Sequence, residues 1–234
     1  MNNATIQLKI KQRLNKLDSQ DYDNLECWQI VEAFNKGQVN WCRRTLHGLN
    51  LKQEGDEGSK RRIDDLQILL TDEKIQLKKE DTFYVSEDLP ENYMEWKRID
   101  GAAGNECCND KRGMIIYLTQ EANVPMLLRD NLKKPSFNWG ETFCTLKGNK
   151  VRVYTNNEFS FESAFLTYYR QPRRIQIQGC IDPYTQQEST VDVECEFKED
   201  MIELFVDEAV KILAGDIESM NQLGIASKNV EENN

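Results

Sequence analysis

The feature that most constrains this chain is a double change of apolar period. Near both ends, apolar residues recur every three or four positions. Between about residue 73 and residue 198 they recur every second position. A stripe with helical spacing cannot bury itself as a strand, and an alternating stripe cannot bury itself as a helix. The chain is therefore expected to be α+β, with helices first, a β-rich domain next, and a long helix last.

The last helix decides how the ends relate. From Glu199 onward, Ile202, Phe205, Val206, Ala209, Ile212 and Leu213 form a stripe too wide to face water. Glu199 and Asp200 sit in its first turn, where the helix dipole favours negative charge. The N-terminal helices are the expected partners, so residues 1–72 with 199–223 should form one helical bundle. Residues 73–198 should be an inserted antiparallel β-sandwich or barrel, and residues 224–234 a flexible tail.

Within the first region, Ile6, Ile10, Leu14 and Leu17 predict one helix, followed by a polar break over residues 18–23. A second helix from about Asn24 carries Cys27, Ile30, Val31 and Phe34, and Gly37 is expected to stop or kink it. A third carries Val39, Cys42 and Leu46, with Arg43 and Arg44 on its other side and Gly48 as C-terminal cap. Residues 52–59 read as a mobile loop. A fourth helix spans about Ser59 to Leu70 with Ile63, Leu66, Leu69 and Leu70 as its stripe.

In the β region, Gly148-Asn149 predicts the turn of a hairpin between Thr145 and Tyr154. Met114 to Leu118 reads as a fully buried strand. Phe159 and Phe161 alternate, as does Ile175-Gln-Ile-Gln. Val191, Val193, Cys195 and Phe197 alternate with Asp192, Glu194 and Glu196, which predicts a final strand with one acidic face.

Charge narrows the function. The net charge is −10, distributed as 0 over residues 1–72, −3 over 73–198 and −7 over 199–234. Tight nucleic-acid binding needs clustered Lys and Arg to displace counterions from phosphates, so it is not expected as the main activity. No apolar run is long enough to cross a membrane. The start, Met1-Asn2-Asn3-Ala4-Thr5, lacks a basic stretch leading into an apolar one, so no secretory signal is expected. Seven cysteines at irregular spacing, with Cys107 and Cys108 adjacent, read as reduced thiols.

Catalytic and metal signatures are not found. His47 is the single histidine, and at five residues from Cys42 it points about 140° away around a helix. The acidic stretches 18–23 and 54–57 miss the ligand spacing of a calcium loop. Neither a phosphate-binding glycine loop nor a nucleophile elbow occurs. No catalytic residue, metal or cofactor is expected. The chemistry-bearing residues that stand out instead suit contact surfaces. Arg170, Arg173 and Arg174 lie beside Tyr168 and Tyr169, and Arg and Tyr are enriched at protein interfaces. The acidic face is Asp192, Glu194 and Glu196.

The layout resembles a known family. The stretch Leu166-Thr-Tyr-Tyr-Arg-Gln-Pro-Arg falls in the β region, and Asp207-Glu-Ala-Val-Lys-Ile-Leu-Ala-Gly-Asp falls in the last helix. Together they resemble ring-forming head-to-tail connector proteins of short-tailed phages, the tail tubular protein A class. Leu25-Glu-Cys-Trp-Gln-Ile-Val-Glu-Ala-Phe-Asn-Lys-Gly and Trp41-Cys-Arg-Arg are most similar in wording to ring proteins of crAss-like phages. The resemblance implies a virion structural protein assembled in the host cytoplasm, forming a ring of about a dozen copies. Its partners would be further copies of itself, the portal and neighbouring tail rings. DNA would pass through the lumen without tight binding, since an acidic wall repels phosphate. Alternatives are another neck or head-completion protein, or a thiol-dependent enzyme using Cys107 or Cys108.

Overall fold

The structure, a computed structural model, describes residues 1–15, 25–48, 60–105, 110–182, 185–216 and 220–233. The expected break at 18–23, the loop at 52–59, and Cys107 with Cys108 lie outside the described residues. The chain divides into two compact units. One comprises residues 1–68 and 172–234; the other comprises residues 69–171. The architecture is α+β, with a sheet inserted between helical segments.

In the helical unit, α1 (Asn3–Asn15), α2 (Cys27–His47), α3 (Lys60–Leu66), α5 (Glu199–Asp216) and α6 (Met220–Asn233) surround a core centred on α5. Helix α5 packs against α1, α2 and α6. Ile6, Ile10 and Leu14 of α1 are buried, as are Ile30, Phe34 and Trp41 of α2. Phe205 is the hub of this core, with ring centroids 6.1 Å from Phe34, 5.6 Å from Trp41 and 4.9 Å from Phe197.

Two expected helices are one. Gly37 neither stops nor kinks α2, which runs unbroken to His47. The glycine serves close approach: a Cβ there would lie 3.1 Å from the Glu208 Cβ and 3.3 Å from the Phe205 carbonyl oxygen of α5. A reciprocal capping box between Glu26 and Gln29 opens α2. Gly48, left-handed at φ 68°, closes it by donating its N–H to the Arg44 carbonyl. At the fourth predicted helix, α3 ends at Leu66 and a 3-10 turn follows over Gln67–Leu69. Leu66 and Leu69 are buried, but Ile63 is exposed and Leu70 already belongs to a strand.

The expected tail is helical over most of its length. Residues 224–233 continue α6, because Ala226 and Val230 are buried one helical turn apart and α6 packs on α5. The expected acidic strand is also corrected. Residues 172–198 cluster with the helices, and the described residues among them contain no strand, only isolated bridges between Gln176 and Val193 and between Ile181 and Glu188. The segment is held by side chains instead. Asn35 accepts the Ile175 N–H at 2.8 Å and donates to its carbonyl at 3.2 Å. Asn3 donates to the carbonyls of Gln176 and Val193. Seating this segment by α2 brings Cys27 and Cys180 together, with Cα atoms 5.7 Å apart, and they form a disulfide. Reduced thiols were expected at both positions. Irregular sequence spacing carries no information about a pair 153 residues apart.

The second unit is one sheet of eight strands in the order β1-β8-β4-β5-β6-β7-β3-β2. The strands are β1 (Leu70–Ile75), β2 (Leu77–Glu80), β3 (Phe83–Asp88), β4 (Tyr93–Asn105), β5 (Asp110–Leu118), β6 (Glu141–Lys147), β7 (Lys150–Tyr154) and β8 (Ser160–Arg170). All neighbours are antiparallel except β5 and β6, which are parallel, so the expectation of a purely antiparallel sheet is corrected. The two edge strands, β1 and β2, are separated in sequence by Gln76 alone. Eight flat strands would hold those edges more than about 30 Å apart at ~4.8 Å per step. One linking residue spans only about 7 Å. The sheet must therefore curl until its edges meet, which makes it barrel-like. Its interior holds Tyr84, Ile99, Met114, Ile116, Val151, Val153, Leu166 and Tyr168. The predicted hairpin forms between β6 and β7, with Gly148 and Asn149 both left-handed at φ 59° and 60°.

Candidate functional site

Strand β5 shows where the curled sheet departs from a sealed domain. Its expected full burial is corrected: only Met114 and Ile116 point into the core. Ile115 and Tyr117 alternate onto the outer face and are 55% and 52% exposed. Part of that outer face is covered. Helix α4 (Val124–Arg129), begun by a 3-10 turn over Glu121–Asn123 and a proline at its N-terminus, places Val124, Leu127 and Leu128 on Phe143, Tyr154 and Phe83. Tyr117 lies in register with Phe143 on the neighbouring strand, just beyond that cover. Ile115 lies in register with Asp100, and Asp100 in turn with Phe165, whose ring is also exposed.

The loop after α4 returns to β5 beside Ile115. Asp130 organises it, accepting the Leu132 N–H on its carboxylate at 2.9 Å and the Lys134 N–H on its carbonyl at 2.9 Å. Gly140, left-handed at φ 69°, turns the chain back and accepts the Ile115 N–H on its carbonyl at 2.8 Å. Arg112 of β5 donates to the carbonyls of Phe137 and Asn138. This fixed loop leaves Leu132 82% exposed and Trp139 73% exposed. Met126 points outward from α4 and is exposed too. Arg112, Arg129, Lys133 and Lys134 rim the loop, and Glu141 approaches the Tyr117 hydroxyl at 3.4 Å. Large side chains scattered singly over a surface need no explanation, but a contiguous set marks a contact surface.

The residues singled out from sequence fall elsewhere. Tyr168 and Tyr169 are not surface groups. Tyr168 is a core residue whose hydroxyl meets Asn92 at 2.9 Å and Glu73 at 3.0 Å. Burial, with the Glu73 carboxylate, pushes its phenol up to about 12. Tyr169 is buried with the Lys97 ammonium 5.6 Å from its ring centre. Strand β8 is paired on both sides, by β1 and β4. Arg170 is half-buried at the end of β8 and donates to the Gln171 carbonyl at 3.3 Å. Arg173 and Arg174 belong to the other unit. The Arg173 backbone N–H donates to Glu196 at 2.9 Å. Asp192 accepts from the Asn3 amide at 2.7 Å, and Glu194 is exposed. With no strand there, the three acidic residues do not form one strand face.

The helical unit also has a cleft of about 450 Å³ between α2 and the 172–198 segment, lined by Trp28, Glu32, Asn35, Arg174, Asp182 and Glu188 and closed at one side by Cys180. The free thiols nearby and in the sheet are not activated. Burial pushes Cys42 and Cys144 up to about 12 and Cys195 to about 11, the opposite of what an attacking thiolate needs. Among the described residues, no group of three or more His, Cys, Asp or Glu is placed to hold a metal ion. No helix among them is long and apolar enough to cross a membrane.

No protein-family model matches the sequence, and no curated protein matches it.

Trp139, Leu132, Ile115 and Tyr117 were not singled out for this face by sequence. The signal existed for two of them. Ile115 and Tyr117 alternate with Met114, Ile116 and Leu118, and a continuous apolar run on a strand always places something on the outer face.

Proposed function

We propose that this chain is a structural subunit that assembles with copies of itself into a ring, as part of the head-to-tail connector of a short-tailed phage. There it joins portal to tail and bounds the conduit for genome ejection. The observation that carries this reading is the exposed apolar and aromatic face of the sheet unit, which a subunit buries on assembly. The succession of helical bundle, inserted sheet and closing helices supports it through the family layout that the sequence resembles. The acidic wall of the conduit is reassigned: with residues 192–196 not a strand, the acidic excess of residues 199–234 is the better source of repulsion for DNA. The test is native mass spectrometry and electron microscopy of the purified full chain, alone and with a portal ring. Closed rings are expected, on the portal template if not alone. A protein that stays monomeric in both conditions overturns the reading.

A further inference from the structure

We propose that the Cys27–Cys180 bridge is a redox latch: reducing it releases the tip of the 172–198 segment from α2 and opens the cleft beneath, while the base of the segment stays seated. The latch does not depend on ring assembly.

The segment doubles back, since Gln176 bridges Val193 and Ile181 bridges Glu188. Its base is anchored by side chains. Ile175 exchanges two hydrogen bonds with Asn35, and Asn3 holds the carbonyls of Gln176 and Val193. The Cys195 thiol meets Gln38 at 3.6 Å, and Phe197 packs on Phe205. The tip is anchored differently. Between residues 176 and 192, Cys180 is the one buried residue among those described, and Ile181 and Val191 are exposed. Backbone hydrogen bonds shape the tip from within. The Gly179 N–H donates to the Ser189 carbonyl at 2.9 Å, the Ser189 N–H to the Cys180 carbonyl at 2.8 Å, and the Asp182 N–H to the Gln187 carbonyl at 3.0 Å. These bonds keep the tip's own shape and do not tie it to the helix, which the sulfur bridge does.

Between tip and helix lies the cleft of about 450 Å³, so the two surfaces are not packed together there. Its walls carry Glu32 on α2 and Asp182 and Glu188 on the tip, like charges that favour separation; Arg174, at the base, is the cation among the lining residues. Once the bridge opens, freed backbone gains conformational entropy, and the tip has little buried surface to set against it.

The bridge is placed to be reached. Cys27 is the first residue of α2 and only half-buried. A thiolate of a dithiol reductant attacks the Cys27 sulfur; the S–S bond breaks, and Cys180 leaves with the electron pair and takes up a proton. The reductant's second thiolate then attacks the mixed disulfide and releases Cys27, which is protonated in turn. The reductant departs as its own disulfide, having passed two electrons and two protons to the protein. A reducing compartment therefore keeps the tip free, and an oxidising one closes it over the cleft.

The experiment is hydrogen exchange on the full-length protein, read by mass spectrometry after a short labelling pulse, before and after treatment with dithiothreitol. Alkylation and peptide mapping show whether Cys27 and Cys180 have become thiols. Peptides carrying Gly179, Asp182 and Ser189 should take up deuterium about tenfold faster once reduced, while those carrying Ile175 and residues 30–42 of α2 stay protected. Oxidised glutathione should restore protection. Cys27→Ser should behave as the reduced parent with or without reductant. Acrylamide quenching of tryptophan fluorescence should rise on reduction in the parent but not in Trp28→Phe, which lacks the ring that lines the cleft. A bridge that dithiothreitol cannot open in the folded protein overturns the inference. So does reduction that leaves the tip as protected, or the tryptophans as shielded, as before. Loss of protection that spreads through α2 and α5 overturns it too, because the bridge would then staple the whole helical unit.

Discussion

Replacing Glu208 by leucine removes one half of an ion pair that crosses the helical core. Glu208 stands on the buried side of α5 with 5% of its side chain exposed, and the Arg44 guanidinium of α2 reaches it with 27% exposed. Its stem lies close against Gly37 of α2, where an added Cβ would be 3.1 Å from the Glu208 Cβ. Breaking a buried pair costs about 3–5 kcal/mol, because the orphaned charge stays desolvated. Arg44 keeps some access to solvent, and burial already lowers its pKa. Glu208→Leu is therefore expected to cost about 2–3 kcal/mol, below that range. Arg44→Met orphans the more buried partner and should cost about 3–4 kcal/mol at neutral pH. The double variant has no charge left to desolvate and should fall within about 1 kcal/mol of the parent. Urea unfolding followed by helical circular dichroism gives all three values. The expected coupling is at least about 2 kcal/mol. Costs that simply add, within about 0.5 kcal/mol, would refute the reasoning. A pH series separates the two singles. In Arg44→Met, the unpaired Glu208 carboxylate is left with 5% of its side chain exposed, where burial disfavours the charged form. That variant should regain stability as pH falls below neutral and lose it as pH rises, whereas Glu208→Leu should show no such recovery.

Four further outcomes follow from the same physics. Phe205→Ala empties the centre of the Phe34, Trp41 and Phe197 cluster and should cost about 4 kcal/mol, with Phe205→Leu costing much less; similar losses for the two in urea unfolding would count against the hub role. Cys27→Ser opens the Cys27–Cys180 bridge and should cost about 2–5 kcal/mol under oxidising conditions but almost nothing after reduction, while thiol titration of the unfolded parent should rise by two on reduction. Burial raises the Cys42 and Cys144 thiols to about 12 in the folded protein, so the stability they contribute is present below pH 9 and is lost as pH climbs toward 12; at pH 10 each should cost on the order of 1 kcal/mol, and a flat stability profile from pH 8 to 10 would contradict this. Burial raises the Glu203 carboxyl, but Lys9 and Arg13 outweigh it and hold the group below its ordinary value, so its contribution is present above the usual carboxylate range and fades as pH falls through the folded pKa; Glu203→Gln should flatten the acid limb of a stability profile.

Much of the fold is written in the apolar period, and the departures have definite causes. The stripe of α5 was legible because its apolar residues point to one side, but Glu208 within that stripe was not, since its partner Arg44 reads as the polar face of α2. Gly37 reads as a break in local terms and is a contact in tertiary terms. The alternation from Val191 to Phe197 is real, yet Val191 is exposed and only Gln176 pairs with Val193, so an extended segment docked through side chains mimics a strand. The helical tail was hidden because Val230 is the single apolar residue after Ala226, flanked by Ser227, Lys228 and Asn229 and by Glu231 and Glu232. Tyr168 and Tyr169 suggested a surface because Tyr and Arg favour interfaces, but two adjacent aromatics on a strand paired on both sides sit on opposite, covered faces.

On the proposed ring reading, closure of the sheet bears directly on how a subunit would meet its neighbours. A sheet with free edges invites another chain to add a strand, and proteins guard against this or exploit it. Here the edge strands β1 and β2 are consecutive in sequence and run in the same direction, so the curl turns each edge toward the other. Strand addition is a poor route to assembly for this unit. On the proposed ring reading, contact would be made through side chains on the outer face, where the unit leaves Ile115 and Tyr117 exposed. The outer face of β5 differs from the face beneath α4 in one respect only. Both are apolar, but the chain supplies its own cover for Phe143 and Tyr154 and leaves the adjoining Tyr117 exposed. Lengthening α4 with a designed apolar turn that covers Tyr117 should therefore raise the stability of the isolated subunit and abolish assembly in sedimentation velocity. Continued assembly with that face sealed would place the contact elsewhere on the molecule.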